Sequence, residues 1–234
     1  MGASNKHTHW HLNKDDFFWE LASEKEEFVA LSIKRNLKKN QSIFLEEDPG
    51  DSAFYLENGA VKIFRISSCG KESIVFIRHP GEMFGLAEAI CNKNRACNAQ
   101  AMTHCTLYEI KRKELEILLS RHFPLAKRVM EIMGKRLRYL GEQVENLMVC
   151  DVTTRLLKLL IYLSYSSAFD SDVLNDPITV PTHLTQEKIA EMIGSCQQTV
   201  SETLKQLEQD GIINISRKKI TLLKPAEIMA RLYL

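Results

Sequence analysis

The chain has 234 residues, 44% of them hydrophobic, and its 31 Lys and Arg against 30 Asp and Glu leave a formal net charge of +1. That length supports one large core or two modest ones, while so even a charge balance gives no hint of a nucleic-acid partner, so such a function has to rest on motifs. The longest apolar run, residues 156–163, is broken by Lys158 and falls far short of the roughly 20 apolar residues of a membrane helix, and the six cysteines (Cys69, Cys91, Cys97, Cys105, Cys150, Cys196) stand singly, which excludes a disulfide-stapled fold.

The opening MGASNKHTHWHLNKDD is polar and acid-containing, without the apolar centre of a signal peptide, so a cytoplasmic protein with no membrane partner is expected. His7, His9 and His11 alternate and would share one side of an extended chain as a weak metal site; a disordered polar tail is the plainer expectation. Residues 15–27 place Phe17, Phe18 and Leu21 among charges, with Phe28 beyond, which predicts a short amphipathic helix. From residue 42 to 109 the period changes to short β-rich runs (SIFLE, AFYLE, AVKIFRI, SIVFIR, TLYEI) punctuated by Asp48-Pro49-Gly50, Asn58-Gly59, Cys69-Gly70 and Pro80-Gly81. Strands of this length and spacing predict a small sandwich or roll.

Past Lys111 no glycine occurs before Gly134, and residues 123–149 read as one long helix. Ala126, Met130, Met133, Leu137, Leu140, Val144 and Leu147 follow at alternating steps of four and three, a heptad stripe that stays on one face only by supercoiling around a partner. A single amphipathic helix on its own domain is the simpler alternative, but the charges elsewhere leave only a narrow stripe, which favours a dimer seam. A second helix over 153–163 precedes the polar stretch SYSSAFDSDVLNDP, read as a surface loop.

Residues 183–207, HLTQEKIAEMIGSCQQTVSETLKQL, hold two short helices around a glycine turn. Thr185 is placed to cap the first, whose Ile189, Met192 and Ile193 share a face, and Gly194 supplies the turn. Ser195 with Gln198 makes an S-x-x-Q capping box for the second, buried through Val200, Leu204 and Leu207. This is a helix-turn-helix, in which the N-terminal residues of the second helix reach base edges in the major groove. After Gly211, INISRKKITLL reads as a wing, with Arg217, Lys218 and Lys219 the densest basic cluster in the chain and suited to phosphate contacts.

With these features in place the chain resembles the CRP/FNR family of bacterial regulators. The resemblance runs from about Leu37 to the C-terminus and is carried by Gly50, Gly59 and Gly81 in the β turns, FGLAEAI from Phe84 to Ile90, the helix ending NLMVCDVTTRL, and LTQEKIAEMIGSCQQTVSETLKQLEQDGII. It implies an α+β chain: an effector-sensing β-roll of double-stranded, jelly-roll-like form (1–120), a dimerisation helix (121–150) with its seam at Met130, Met133, Leu137, Leu140, Val144 and Leu147, a hinge near Cys150 and Asp151, and a winged helix-turn-helix (151–234). It also implies a homodimer on a roughly palindromic double-stranded DNA site, contact with RNA polymerase if the protein activates, and no enzymatic activity.

Two departures from the family pattern matter. Where relatives carry arginine and glutamate on the recognition helix, this chain has Gln197, Gln198 and Glu202, so the bidentate guanine contact of an arginine is missing. Gln197 or Gln198 suits adenine, Gln197 the more so if Gln198 is occupied in capping; Thr199 and Ser201 make smaller contacts and Lys205 reaches phosphate. In the effector site Gly85 and Arg95 are kept, but Leu86 replaces the ribose-binding glutamate, Ala96 the hydroxyl residue, and Leu140 and Gly141 the polar helix pair. Losing those groups argues against cyclic AMP. A small anionic effector at Arg95 remains open, as does a structural ion pair between Arg95 and Glu88, which could also recover part of the glutamate's role.

Iron–sulfur sensing needs an N-terminal cysteine cluster, whereas the first cysteine is Cys69; haem sensing needs a ligand within 83–89, where none stands, although His79 and Cys91 lie nearby. No cofactor is therefore assigned. A thiol sensor built on Cys91 and Cys97 beside Arg95 is a second reading within the family, against the plainer one of small residues in an apolar pocket. A metal-dependent jelly-roll enzyme is the competing class, but between residues 40 and 110 only His79 and His104 are available, and apart.

Overall fold

A computed structural model describes residues 16–68, 70, 72–164, 176–180, 184–216 and 219–233. The chain divides into two compact units whose boundary falls between Gly134 and Lys135, inside the long helix.

The first unit begins with α1 (Ala22–Leu31), then β1 (Ile33–Leu37), β2 (Ser42–Phe44), β3 (Ser52–Asn58), β4 (Val61–Ile66), β5 (Glu72–Arg78) and β6 (Met83–Phe84). It continues through α2 (Leu86–Cys91), β7 (Asn98–Ala101), β8 (Cys105–Lys111), α3 (Arg112–Arg121) and the first half of α4 (Phe123–Val149). The strands form two four-stranded antiparallel sheets, ordered β1-β8-β3-β6 and β2-β7-β4-β5. Leu37, Phe54, Leu56, Phe84 and Leu107 of the first sheet meet Ile43, Val61, Ile63, Ala99 and Ala101 of the second in one buried cluster, the interior of the roll.

The period-2 rule accounts for the other face. Along β3, Phe54 and Leu56 enter the roll, whereas Ala53 and Tyr55 join a second cluster with Phe28 of α1, Leu86 and Ala89 of α2, Leu115 and Leu118 of α3, and Leu125 and Val129 of α4. Both faces of this sheet are covered, so residues Ser52 to Leu56 are all buried.

The second unit holds the rest of α4, then α5 (Val152–Ser164), β9 (Ile178–Thr179), α6 (Gln186–Ile193), α7 (Gln197–Gln209), β10 (Ile213–Ser216), β11 (Lys219–Leu222) and α8 (Pro225–Tyr233). Its core gathers Leu156 and Leu160 of α5, Ile189 and Ile193 of α6, Val200, Leu204 and Leu207 of α7, Ile213, Leu222 and Ile228. The three-stranded sheet runs β10-β11-β9. The fold is the α+β roll with a winged helix-turn-helix that the sequence led us to expect.

Two local expectations are corrected. The helix expected over 15–27 lies at Ala22–Leu31, because Phe17, Phe18 and Leu21 are buried from a turn in which Glu20 has a φ of 62°. The capping box at Ser195 does not form, and its replacement is described below. The histidines at 7, 9 and 11 lie outside the described residues.

Candidate nucleic-acid interface and effector site

Thr185 caps α6 as expected, its Oγ1 accepting from the Lys188 amide at 3.2 Å. Replacing Thr185 with alanine is expected to cost roughly 0.5–2 kcal/mol of stability, read as a lower urea midpoint of the full chain; an unchanged midpoint would contradict the cap. Gly194 closes α6 with a φ of 64°, and the Ser195 amide donates to Ala190 O at 3.0 Å. Ser195 thus belongs to the end of α6, and α7 starts one residue later with Cys196 at its N-cap. Gln198 turns forward instead of back, donating from Nε2 to Glu202 Oε1 at 3.1 Å.

With Val200, Leu204 and Leu207 buried, the opposite face of α7 presents Gln197, Gln198, Glu202 and Lys205 as exposed side chains, with Thr199 and Ser201 half-buried. Gln197 is therefore the less encumbered of the two glutamines. In the wing, Ser216 pairs with Lys219, which is exposed at the start of β11; Arg217 and Lys218 lie outside the described residues.

Cys196 was not among the expected interface residues, although its place just before the second helix was visible in the sequence. Its exposed Sγ lies 3.0 Å from Thr199 Oγ1. That hydrogen bond, followed by backbone amides of the first turn, holds the thiol below its usual range. Cys97 goes the other way, because burial pushes its thiol up, the opposite of what a reactive sensor needs. Cys91 is exposed. On α4 and α5, Asp151 accepts from the Thr154 amide at 2.7 Å, a bond that keeps its carboxyl below the usual carboxylate range and caps α5.

The roll brings Gly85, Glu88 and Arg95 together. Arg95 is only 1% exposed. Its Nη1 donates to Gly85 O at 3.0 Å and lies 3.6 Å from Glu88, and its Nη2 donates to Ser52 O at 2.6 Å. The guanidinium stacks 4.3 Å from the centre of the Phe44 ring. Burial pulls its pKa down, opposed first by Glu88. Gly85 has a φ of 70°, and a Cβ there would stand 2.8 Å from Arg95 Nη1, so both conformation and space require glycine.

Within this unit, the expected effector residues Leu86 and Ala96 do not join this group. Leu86 is buried in the cluster beneath the helices, Ala96 is exposed, and Leu140 and Gly141 belong to the second unit. Both Nη atoms of Arg95 donate to backbone carbonyls, and Ala96 offers no hydroxyl beside it. Among the described residues no three His, Cys, Asp or Glu side chains gather as metal ligands.

On α4, Leu125 and Val129 are buried in the first unit and Met133 packs partly against the same cluster. Met130, Leu137, Leu140, Val144 and Leu147 are exposed on the single chain. Sequence reasoning missed Ser52 and Phe44, whose roles follow from sheet register, and Arg78, a charge ending the apolar run SIVFI.

Comparison with known proteins bears on both units. Residues 34–122 match the cyclic nucleotide-binding domain model and residues 154–231 the Crp-like helix-turn-helix domain model. A CRP-like cAMP-activated global transcriptional regulator of Mycobacterium tuberculosis is 26% identical over 193 residues, covering 82% of this chain and 84% of that protein. A global nitrogen regulator of Nostoc sp. is 28% identical over 198 residues, covering 84% and 87%. Among solved structures, a CooA mutant from Carboxydothermus hydrogenoformans has the same fold, with a TM-score of 0.78 at 18% identity over 95% of this chain and 98% of that one.

Proposed function

Because the chain belongs to the CRP/FNR family of transcription regulators, we propose that it acts in the cytoplasm as a homodimer on a roughly palindromic operator, switched by a small effector in the roll. The observation that carries this reading is α7, anchored by Val200, Leu204 and Leu207 while its opposite face offers polar side chains to a groove. Gln197 reads adenine, Gln198 contributes within its bond to Glu202, Thr199 and Ser201 add smaller contacts, and Lys205 and the wing residues Arg217, Lys218 and Lys219 hold phosphates. The labour divides as residues 1–120 for sensing, 121–150 for pairing and 151–234 for DNA. An activating member of such a family would also touch RNA polymerase.

Two observations support an effector other than cyclic AMP. Arg95 is committed to Ser52, Gly85 and Glu88, and Leu86 is enclosed in a core. A redox role for Cys91 and Cys97 gains no support, since burial raises the Cys97 thiol.

The interface is tested through Cys196. Iodoacetamide should alkylate it faster than the half-buried Cys97 or the buried Cys105, because the thiolate is the nucleophile. Duplex fragments enriched by the protein from a genomic library should then slow that alkylation, whereas random duplex at the same concentration should not. Equal rates with and without enriched DNA would contradict the placement of the α7 N-terminus against DNA.

A further inference from the structure

We infer that the anion-recognising side chain of the roll is Arg78, not Arg95, and that it takes a small organic carboxylate with an apolar body. The inference rests on reading the roll as the effector-binding unit, and it assigns that effector a chemical class.

Arg78 ends β5 directly opposite Val61 of β4, and Phe76, on the same face, stands opposite Ile63. Val61 and Ile63 line the roll interior and Phe76 packs against them, so Arg78 points inward among apolar side chains. It is 7% exposed, and its guanidinium carbon lies 4.3 Å from the centre of the Phe76 ring. A strand reading Ile-Val-Phe-Ile before it would pack better with a further apolar residue there, so a charge in this position needs a reason.

Its hydrogen bonding is incomplete. Nη1 reaches Glu82 Oε1 at 3.4 Å, the edge of hydrogen-bond range, while the other oxygen of Glu82 accepts from the His79 amide at 2.6 Å. Nε is buried with no partner. Nη2 donates no hydrogen bond among the described residues. The free edge, Nε with Nη2, is the one that grips a carboxylate through two parallel bonds.

The other buried cations of the roll are spent. Arg95 is engaged at both Nη atoms, Nη1 by Gly85 O and the Glu88 carboxylate and Nη2 by Ser52 O and Ser52 Oγ, which leaves Nε without a free Nη beside it. Lys62 forms an ion pair with Glu72 and lies 4.1 Å from the centre of the Phe64 ring. Two donors on one guanidinium edge match the two oxygens of a carboxylate. A phosphate would leave further charged oxygens unmet, because Ala96 supplies no hydroxyl and the Nη atoms of Arg95 are turned to Gly85, Glu88 and Ser52. Phe76, half-buried and against the Arg78 guanidinium, gives the apolar body of the ligand an aromatic neighbour.

Calorimetric titration of the full chain with benzoate, in the absence of DNA, tests this. Benzoate should bind the wild type, and the neutral isostere benzamide at least about tenfold more weakly, as loss of a charge-assisted pair implies. Arg78→Lys, which keeps the charge and removes the fork, should weaken benzoate by a similar factor. Arg78→Leu should abolish binding while melting no lower than the wild type, since leucine suits the apolar wall. Wild-type affinity in Arg78→Leu, equal binding of benzamide, or failure of both benzoate and hexanoate to bind the wild type would overturn the assignment. Those results leave DNA selection untouched, whereas a chain that binds benzoate through Arg78 but selects no operator would sink the regulator reading alone.

Discussion

Replacing Leu137 and Leu140 together with glutamate is expected to give a monomer by sedimentation and to reduce operator affinity at least about a hundredfold, the loss that follows when two half-sites are no longer held together. The two leucines are 73% and 39% exposed on the single chain, in a row with Met130, Val144 and Leu147. An exposed apolar row of this length marks an interaction site, and the proposed seam covers it. Burying a leucine is worth roughly 1.5–3 kcal/mol, so four of them across a two-fold seam contribute at most on the order of 6–12 kcal/mol, the range of tens-of-micromolar to nanomolar pairing. Glutamate at the same positions forfeits that burial and sets like charges against each other. Because neither leucine belongs to a buried cluster, each unit should keep its fold, visible as unchanged helical circular dichroism. A double variant that still sediments as a dimer would remove the seam from the account.

Replacing Arg95 with alanine should lower the stability of the first unit by roughly 3–5 kcal/mol, the cost of stripping one partner from a buried, hydrogen-bonded ion pair. The change uncovers Ser52 O and Gly85 O, leaves Glu88 without its guanidinium, and empties the space against Phe44. Domains are stable by about 5–15 kcal/mol in total, so urea unfolding should move to a much lower midpoint. A loss below about 1 kcal/mol, within the ordinary scatter of substitutions, would show that Arg95 is not the staple of the roll and would return it to candidacy as a ligand-binding residue.

The parts of the molecule legible in the sequence are those where one local rule acts without competition. The long helix at Phe123–Val149 and the Thr185 cap follow from the heptad spacing and from capping chemistry, and Gly194 from the need for a left-handed turn. The runs from SIFLE to TLYEI became strands because their alternate residues find apolar cover inside the roll. Other elements depend on partners distant in sequence. β1, reading IKRNL, carries mostly exposed side chains and exists through its ladder to β8, and β7, reading NAQA, through β2 and β4. Ser195 and Gln198 satisfy a capping pattern, yet the αL turn at Gly194 draws Ser195 into the end of α6, a competition local spacing does not reveal. The candidate effector residues were the least legible. Which way Leu86, Arg78 and Arg95 point is set by sheet register and by the fit of Gly85 beneath a guanidinium, neither of which is written in spacing.

Selection of bound duplexes from random-sequence DNA by the full chain tests the central claim most directly. The account predicts an enriched, roughly palindromic site whose half-sites lie about one helical turn, roughly 34 Å, apart, with adenine favoured where Gln197 meets the groove and without the guanine preference an arginine there would impose. Failure to enrich any sequence, with or without added cell metabolites, or enrichment of a single half-site with no symmetric copy, would contradict a homodimeric regulator reading DNA through α7.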